Sequence, residues 1–365
     1  DASRTTRIRW VASMQFALFV CFGLGLAVVI ARYGLPLWMA RVLSSSPVTR
    51  LGFHARNEDA VMVNNACGQI SRGIMIRLLR PGQRWVSACE ITPAETQMLI
   101  VEGASMTHAA LCLRGRETSR LKVPPEKARN WVWPAHFGFG MWSALRYGRN
   151  FEEVLRLAQS VDAWYRYLVL DGYGFKFGLT DFMRHSSCVA HFHAIPGYYR
   201  RAAFQGLGRA MYMSHMSDRP ALYEAITEFA PEHDGDLIEG VAFQAAYLHG
   251  DSPKRAIDLV RAVPYEWRNH AHLGLVLGFH ARHTLNPKRF DKNMTAFPAA
   301  CSEAIAHVLS LSNESQRRAR EHHPVSGYGL WRELLARQLD REHALEPVYS
   351  AVAGECRAGN KGLVL

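Results

Sequence analysis

Residues 204–209 read Phe-Gln-Gly-Leu-Gly-Arg, and the same kind of apolar segment built around a glycine recurs along the chain. FGFGMW occupies 137–142, LDGYGF 170–175, IEGVAF 238–243 and HLGLVL 272–277. The glycines Gly138, Gly172, Gly206, Gly240 and Gly274 follow one another at intervals of 34 residues. Three residues beyond each glycine stand Met141, Phe175, Arg209, Phe243 and Leu277, four of them large and apolar. Two residues beyond stand Gly140, Gly174, Gly208, Ala242 and Val276, all small or of modest size. Glycine inside a helix costs about 1 kcal/mol against alanine. Its return at one place in every unit implies a compensating gain, the close approach of a neighbouring helix.

Turn sequences come next: Tyr147-Gly148-Arg149-Asn150, Ser217-Asp218-Arg219-Pro220, Gly250-Asp251-Ser252-Pro253 and Thr284-Leu285-Asn286-Pro287. A second apolar segment follows each turn. Pro196, Pro264 and Pro298 then close units 24 residues past their glycine, and Pro231 does so one residue late. The unit reads as helix, turn, helix and proline stop. Its period, its glycine-to-proline spacing and the large residue three after the glycine resemble tetratricopeptide repeats. The alanine expected early in the second helix does not match, so the units are tetratricopeptide-like only.

From Trp10 to Ala31 the chain carries no charge. Twenty-two helical residues span roughly 33 Å, enough for a bilayer core. Arg4, Arg7 and Arg9 precede this run, and Trp10, Tyr33 and Trp38 stand where an interfacial aromatic belt would lie. No small-x-small cleavage site follows, which argues against a signal peptide. The expected fold class is therefore an all-α, helix-hairpin repeat domain (a tetratricopeptide-like α-solenoid) with one N-terminal transmembrane helix. The divisions are a tail over 1–9, the membrane helix over 10–31 and a juxtamembrane linker over 32–56. An N-terminal helical part over 57–130, repeats over 131–298 and a C-terminal helical cap over 299–365 follow. Within the basic stretch Ile74–Pro93, extended structure is expected around Trp85-Val86-Ser87.

Of 365 residues, 48% are hydrophobic and 21% charged, the balance of a folded chain. The formal net charge of +11 is spread along the sequence and favours acidic partners such as anionic lipid headgroups. Seven scattered cysteines contain no CxxC pair, so zinc ribbons and thioredoxin chemistry lack their signature. Neither GxSxG nor a phosphate-binding P-loop occurs. Arg200-Arg201 and Arg317-Arg318-Ala319-Arg320 are too short for a nucleic-acid stripe.

A second resemblance rests on Glu102-Gly103-Ala104-Ser105-Met106, Gly138-Phe139-Gly140-Met141-Trp142, Gly172-Tyr173-Gly174-Phe175, Phe204-Gln205-Gly206-Leu207-Gly208-Arg209 and Glu239-Gly240-Val241-Ala242-Phe243. In this order the segments resemble an uncharacterised bacterial family first noticed as accessory proteins in enediyne biosynthesis gene clusters. The resemblance runs from about residue 57 to residue 300, with Lys176 where a histidine is expected. It implies an accessory role and assigns no catalytic residue.

Two constellations could carry chemistry. His185, Cys188, His191 and His193 form the richest cluster of metal-ligating side chains. On a helix, His191 and His193 point to different faces, so the cluster offers two ligands where three or four are needed. It is a weak metal candidate, and no metal or cofactor is expected. Glu102, Asp171 and Glu239 each precede a repeat glycine. Paired buried carboxylates suit acid–base work, but their equivalent positions favour a structural bond to a neighbouring unit. The expected function is a membrane-anchored scaffold or accessory subunit at the bacterial inner membrane, single-pass, with its C-terminal domain periplasmic. Its expected partners are integral-membrane subunits and the bilayer, without nucleic acid. The alternatives are an enzyme or enzyme partner in specialised metabolism, and a metal or cofactor carrier.

Overall fold

The computed structural model describes residues 34, 36–38, 40–41, 57–80, 84–93, 96–112, 131–179, 186–250, 253–322 and 327–350. Among them there is no strand. The helices are α1 (Asn57–Leu79), α2 (Arg84–Glu90), α3 (Gln97–Cys112), α4 (Val132–Tyr147), α5 (Phe151–Ser160), α6 (Arg166–Phe177) and α7 (Gly197–Ser214). They continue as α8 (Arg219–Phe229), α9 (Asp234–Leu248), α10 (Pro253–Arg261), α11 (Arg268–Leu285), α12 (Pro287–Met294), α13 (Ala299–His322) and α14 (Gly327–Arg341).

The repeat glycines lie inside α4, α6, α7, α9 and α11, and these helices with α1 and α3 form one inner row. A Cβ built on Gly138 would stand 2.3 Å from the carbonyl oxygen of Glu102. On Gly172 it would meet that of Phe137 at 2.0 Å, and on Gly240 that of Gln205 at 2.0 Å. On Gly274 it would meet the carbonyl of Glu239 at 2.1 Å. Each repeat glycine thus faces the residue just before its counterpart one unit earlier. Backbones in direct contact are the gain that offsets the helical cost of glycine. Side-chain bonds Arg201–Asp236, Gln205–Glu239, Arg209–Gln244 and Tyr212–His249 keep a nearly constant offset along α7 and α9, so inner neighbours run parallel.

Shorter helices cover the outside of this row. Asn150, Asp218 and Asn286 cap α5, α8 and α12 by accepting from the amides of Glu153, Ala221 and Arg289. Between α6 and α7 the covering segment is instead a 3₁₀ stretch, Ser186–Ala194. Pro196 and Pro264 sit directly before the segments that lead back into the inner row, and Pro298 directly before α13.

The row also curls on itself. The Tyr247 hydroxyl of α9 donates to Glu102 of α3 at 2.9 Å, and Arg282 of α11 reaches the sulfur of Met98. Asp59 of α1 pairs with Arg255 of α10 at 2.9 Å. First and last units therefore meet.

Two expectations are corrected. Among the described residues no helix is long and apolar enough to cross a membrane, so the N-terminal transmembrane helix drops out of the fold class. The segment 10–31 on which it rested lies outside the described residues. Trp85-Val86-Ser87 is not extended but helical, in α2, where Trp85, Val86 and Cys89 are buried against α3.

Candidate functional site

Glu102, Asp171 and Glu239 converge on the inside of the curled row, all 2% exposed or less. Their helices are turned so that the repeat glycine meets the neighbouring backbone, and the preceding side chain is buried with it. Two arginines meet them. Arg209 of α7 donates from Nη1 to Asp171 Oδ2 at 2.7 Å and from Nε to Gln244 at 2.9 Å. Its guanidinium lies 4.0 Å from the Phe137 ring centre and 4.6 Å from that of Phe243. Arg332 of α14 donates to Glu239, which also accepts from Gln205 at 3.2 Å. Asp236 lies 3.9 Å from Arg332 and is bonded by Arg201 at 2.9 Å.

Arg332 arrives on a helix from outside the repeats. α14 places Trp331 edge-on to Trp133 and against His280, and stacks Tyr328 on Tyr167. Gly327 and Gly329 lie so close to Trp164 and Tyr198 that a Cβ at Gly327 would stand 2.1 Å from the Trp164 ring. The interior of the curl is thus filled by the chain itself.

Four carboxylates (Glu102, Asp171, Asp236, Glu239) face three guanidiniums (Arg201, Arg209, Arg332) in this interior. Burial pushes Glu102 up to about 7, against the pull of Arg209 and the Tyr247 hydroxyl. Burial likewise raises Asp171, again opposed by Arg209. Asp236 goes the other way: burial would raise it, but the His233 hydrogen bond and the Arg332 and Arg201 charges hold it below the usual carboxylate range. Glu102 therefore keeps its proton to a higher pH than an ordinary carboxyl. All of these acids except Asp236, and both central arginines, Arg209 and Arg332, are at most 3% exposed. The arrangement holds distant helices together.

Of the histidine cluster, the structure describes the side chains of His191 and His193. His185 and the side chain of Cys188 lie outside what the structure describes. His191 packs on Phe177 and Phe192, with Nε2 3.0 Å from the Tyr173 hydroxyl. His193 faces the next unit, 3.4 Å from Glu232. Sequence reasoning placed the acids at equivalent positions but missed Arg332, Asp236 and Tyr247. Arg209 left a signal: it is the one charged residue in the column of large residues three after each glycine.

The chain belongs to the family described as protein of unknown function (DUF1702), whose model matches residues 37–339. The match takes in most of α14, including Arg332. No curated protein and no solved structure matches the chain.

Proposed function

We propose that this protein works by binding, as an accessory subunit that docks another protein on its outer surface and stabilises a larger bacterial complex. The observation that carries the reading is the filled interior. A tetratricopeptide-like row offers its inner face to a partner, whereas here α14 and the acid–arginine network occupy that face. A partner is left with the exterior, where a groove of about 880 Å³ opens between the start of α1 and the α8 and α10 region. Glu58, Asp59, Arg219, Arg255 and Asp258 give it charges of both signs, a surface suited to a polar protein face. Reversing Arg219 and Glu58 together, as Arg219→Glu and Glu58→Lys, should leave the helical signal unchanged and lower the recovery of associated subunits after gentle purification and native mass analysis. Undiminished recovery removes the groove from the reading.

A second reading follows the finer resemblance to accessory proteins of enediyne gene clusters, an enzyme or enzyme partner in specialised metabolism. It is favoured by a cavity of about 440 Å³ between α11, α12 and α13, lined by Phe290, Met294, Ile305 and Leu309 with His283 and Asp291 among its polar groups. Such a volume suits a small apolar molecule. The same native mass measurement separates the readings: added subunits support the first, a bound small molecule the second.

A further inference from the structure

His193, Glu232 and His233 come from two repeat units and meet at the starts of α7 and α9. Each offers a ligand atom, and the three atoms lie within 4.8 Å of one another. His193 Nδ1 stands 3.4 Å from Glu232 Oε1. Ligand atoms about 2.0–2.1 Å from a tetrahedral zinc are themselves roughly 3.3 Å apart, so this pair already has the spacing of two ligands on one ion. The two imidazole centres are 5.9 Å apart, close to the roughly 5 Å that the same geometry gives two histidines.

Orientation of His233 supplies an independent observation. Its Nδ1 is 3.2 Å from Asp236 Oδ2, and its ring lies on Phe204 at 4.1 Å with planes 16° apart. A buried carboxylate holding Nδ1 fixes the tautomer and leaves Nε2 for an ion, the arrangement that supports metal-binding histidines generally. Glu232, Asp234 and Asp236 also concentrate negative charge at this end of α9, although Arg201 and Arg332 draw on Asp236. Among the described residues Glu232 pairs with no guanidinium.

We propose that His193, Glu232 and His233 form a three-ligand site for a zinc-type divalent cation, with Asp236 as the residue that positions His233. Two imidazoles and a carboxylate suit zinc, and the fourth position stays open to water or to a side chain of another molecule. The ion would clamp the 3₁₀ stretch Ser186–Ala194 to the start of α9, joining neighbouring units on the outside of the row.

The test is calorimetric titration of zinc ions into the chelator-stripped full chain, with cobalt(II) absorption as a report of four-coordination. One equivalent should bind, and His193→Gln or Glu232→Gln should each weaken binding about tenfold or more. Both side chains are exposed, so circular dichroism should stay unchanged. His283→Gln serves as control, because His283 faces a single carboxylate, Asp291, at 3.8 Å near the far end of α11; it should bind as the wild type does. Absence of a one-equivalent event in the wild type overturns the site. So does wild-type affinity in the double variant His193→Gln/Glu232→Gln, or equal loss in the His283 control.

Discussion

Helices α9 and α10 follow one another in the chain and are held in opposite ways. α9 buries every residue from Gly235 to Tyr247, on all sides, with glycine backbone against its neighbours. α10 buries Pro253, Ala256, Ile257, Leu259 and Val260 and leaves Lys254 and Asp258 outside. One is fixed by how closely main chains approach, the other by an ordinary apolar stripe. A helix buried all round has no amphipathic pattern to reveal it, and the glycine period takes that pattern's place.

The contrast is tested most severely at Gly240. Gly240→Leu should destabilise the protein on the order of 5 kcal/mol, beyond ordinary overpacking, because the obstruction is the Gln205 carbonyl rather than a movable side chain. Chemical denaturation of the variant should find little folded protein; a near-normal midpoint would break the distinction between inner and outer helices. Arg332→Ala comes next. It strands Glu239, which is fully buried, and should cost about 4 kcal/mol in urea unfolding.

Glu102 sharpens the contrast through pH. The folded state holds this carboxyl at about 7 against an ordinary 4.5. The native protein therefore binds the extra proton between those values, and its stability falls as pH rises through that window. Glu102→Gln keeps an acceptor for Tyr247. It should lessen that fall, to which the raised Asp171 also contributes, and gain about 3 kcal/mol at pH 8, read from melting curves across pH 4.5–8. On the outer layer, Ile257→Ala should cost about 3 kcal/mol in the same assay, an ordinary cavity effect. Smallest of all, Gly68 has open space around its Cβ position. Gly68→Ala should stabilise α1 by about 1 kcal/mol, confirming that a glycine is costly where no helix crosses it.

These residues also mark what could be read in advance. The 34-residue glycine period, the capped turns at Asn150, Asp218 and Asn286, and the proline stops are local features, and each is visible in a short window of sequence. Gly250 looks like another turn glycine, yet a Cβ there would meet the Arg282 side chain at 2.2 Å. That contact comes from the packing of the next inner helix, α11, against the end of α9, which no short window encodes. Glu102, Asp171 and Glu239 could be picked out by position and Arg209 by its place in the glycine column, but Arg332 and Tyr247 could not. Arg332 lies 93 residues from Glu239 and Tyr247 lies 145 from Glu102. Nothing periodic links such pairs.

Closure of the row has a consequence for how the protein can change over evolutionary time. An open ladder of repeats gains or loses a rung at modest cost, since each touches only its neighbours. Here Glu102 must reach Tyr247, Asp59 must reach Arg255, and Met98 must reach Arg282. Duplicating or deleting one 34-residue unit would move every one of those pairs apart together. The number of rungs is therefore locked by stereochemistry, and the domain should melt as one cooperative body instead of fraying from an end.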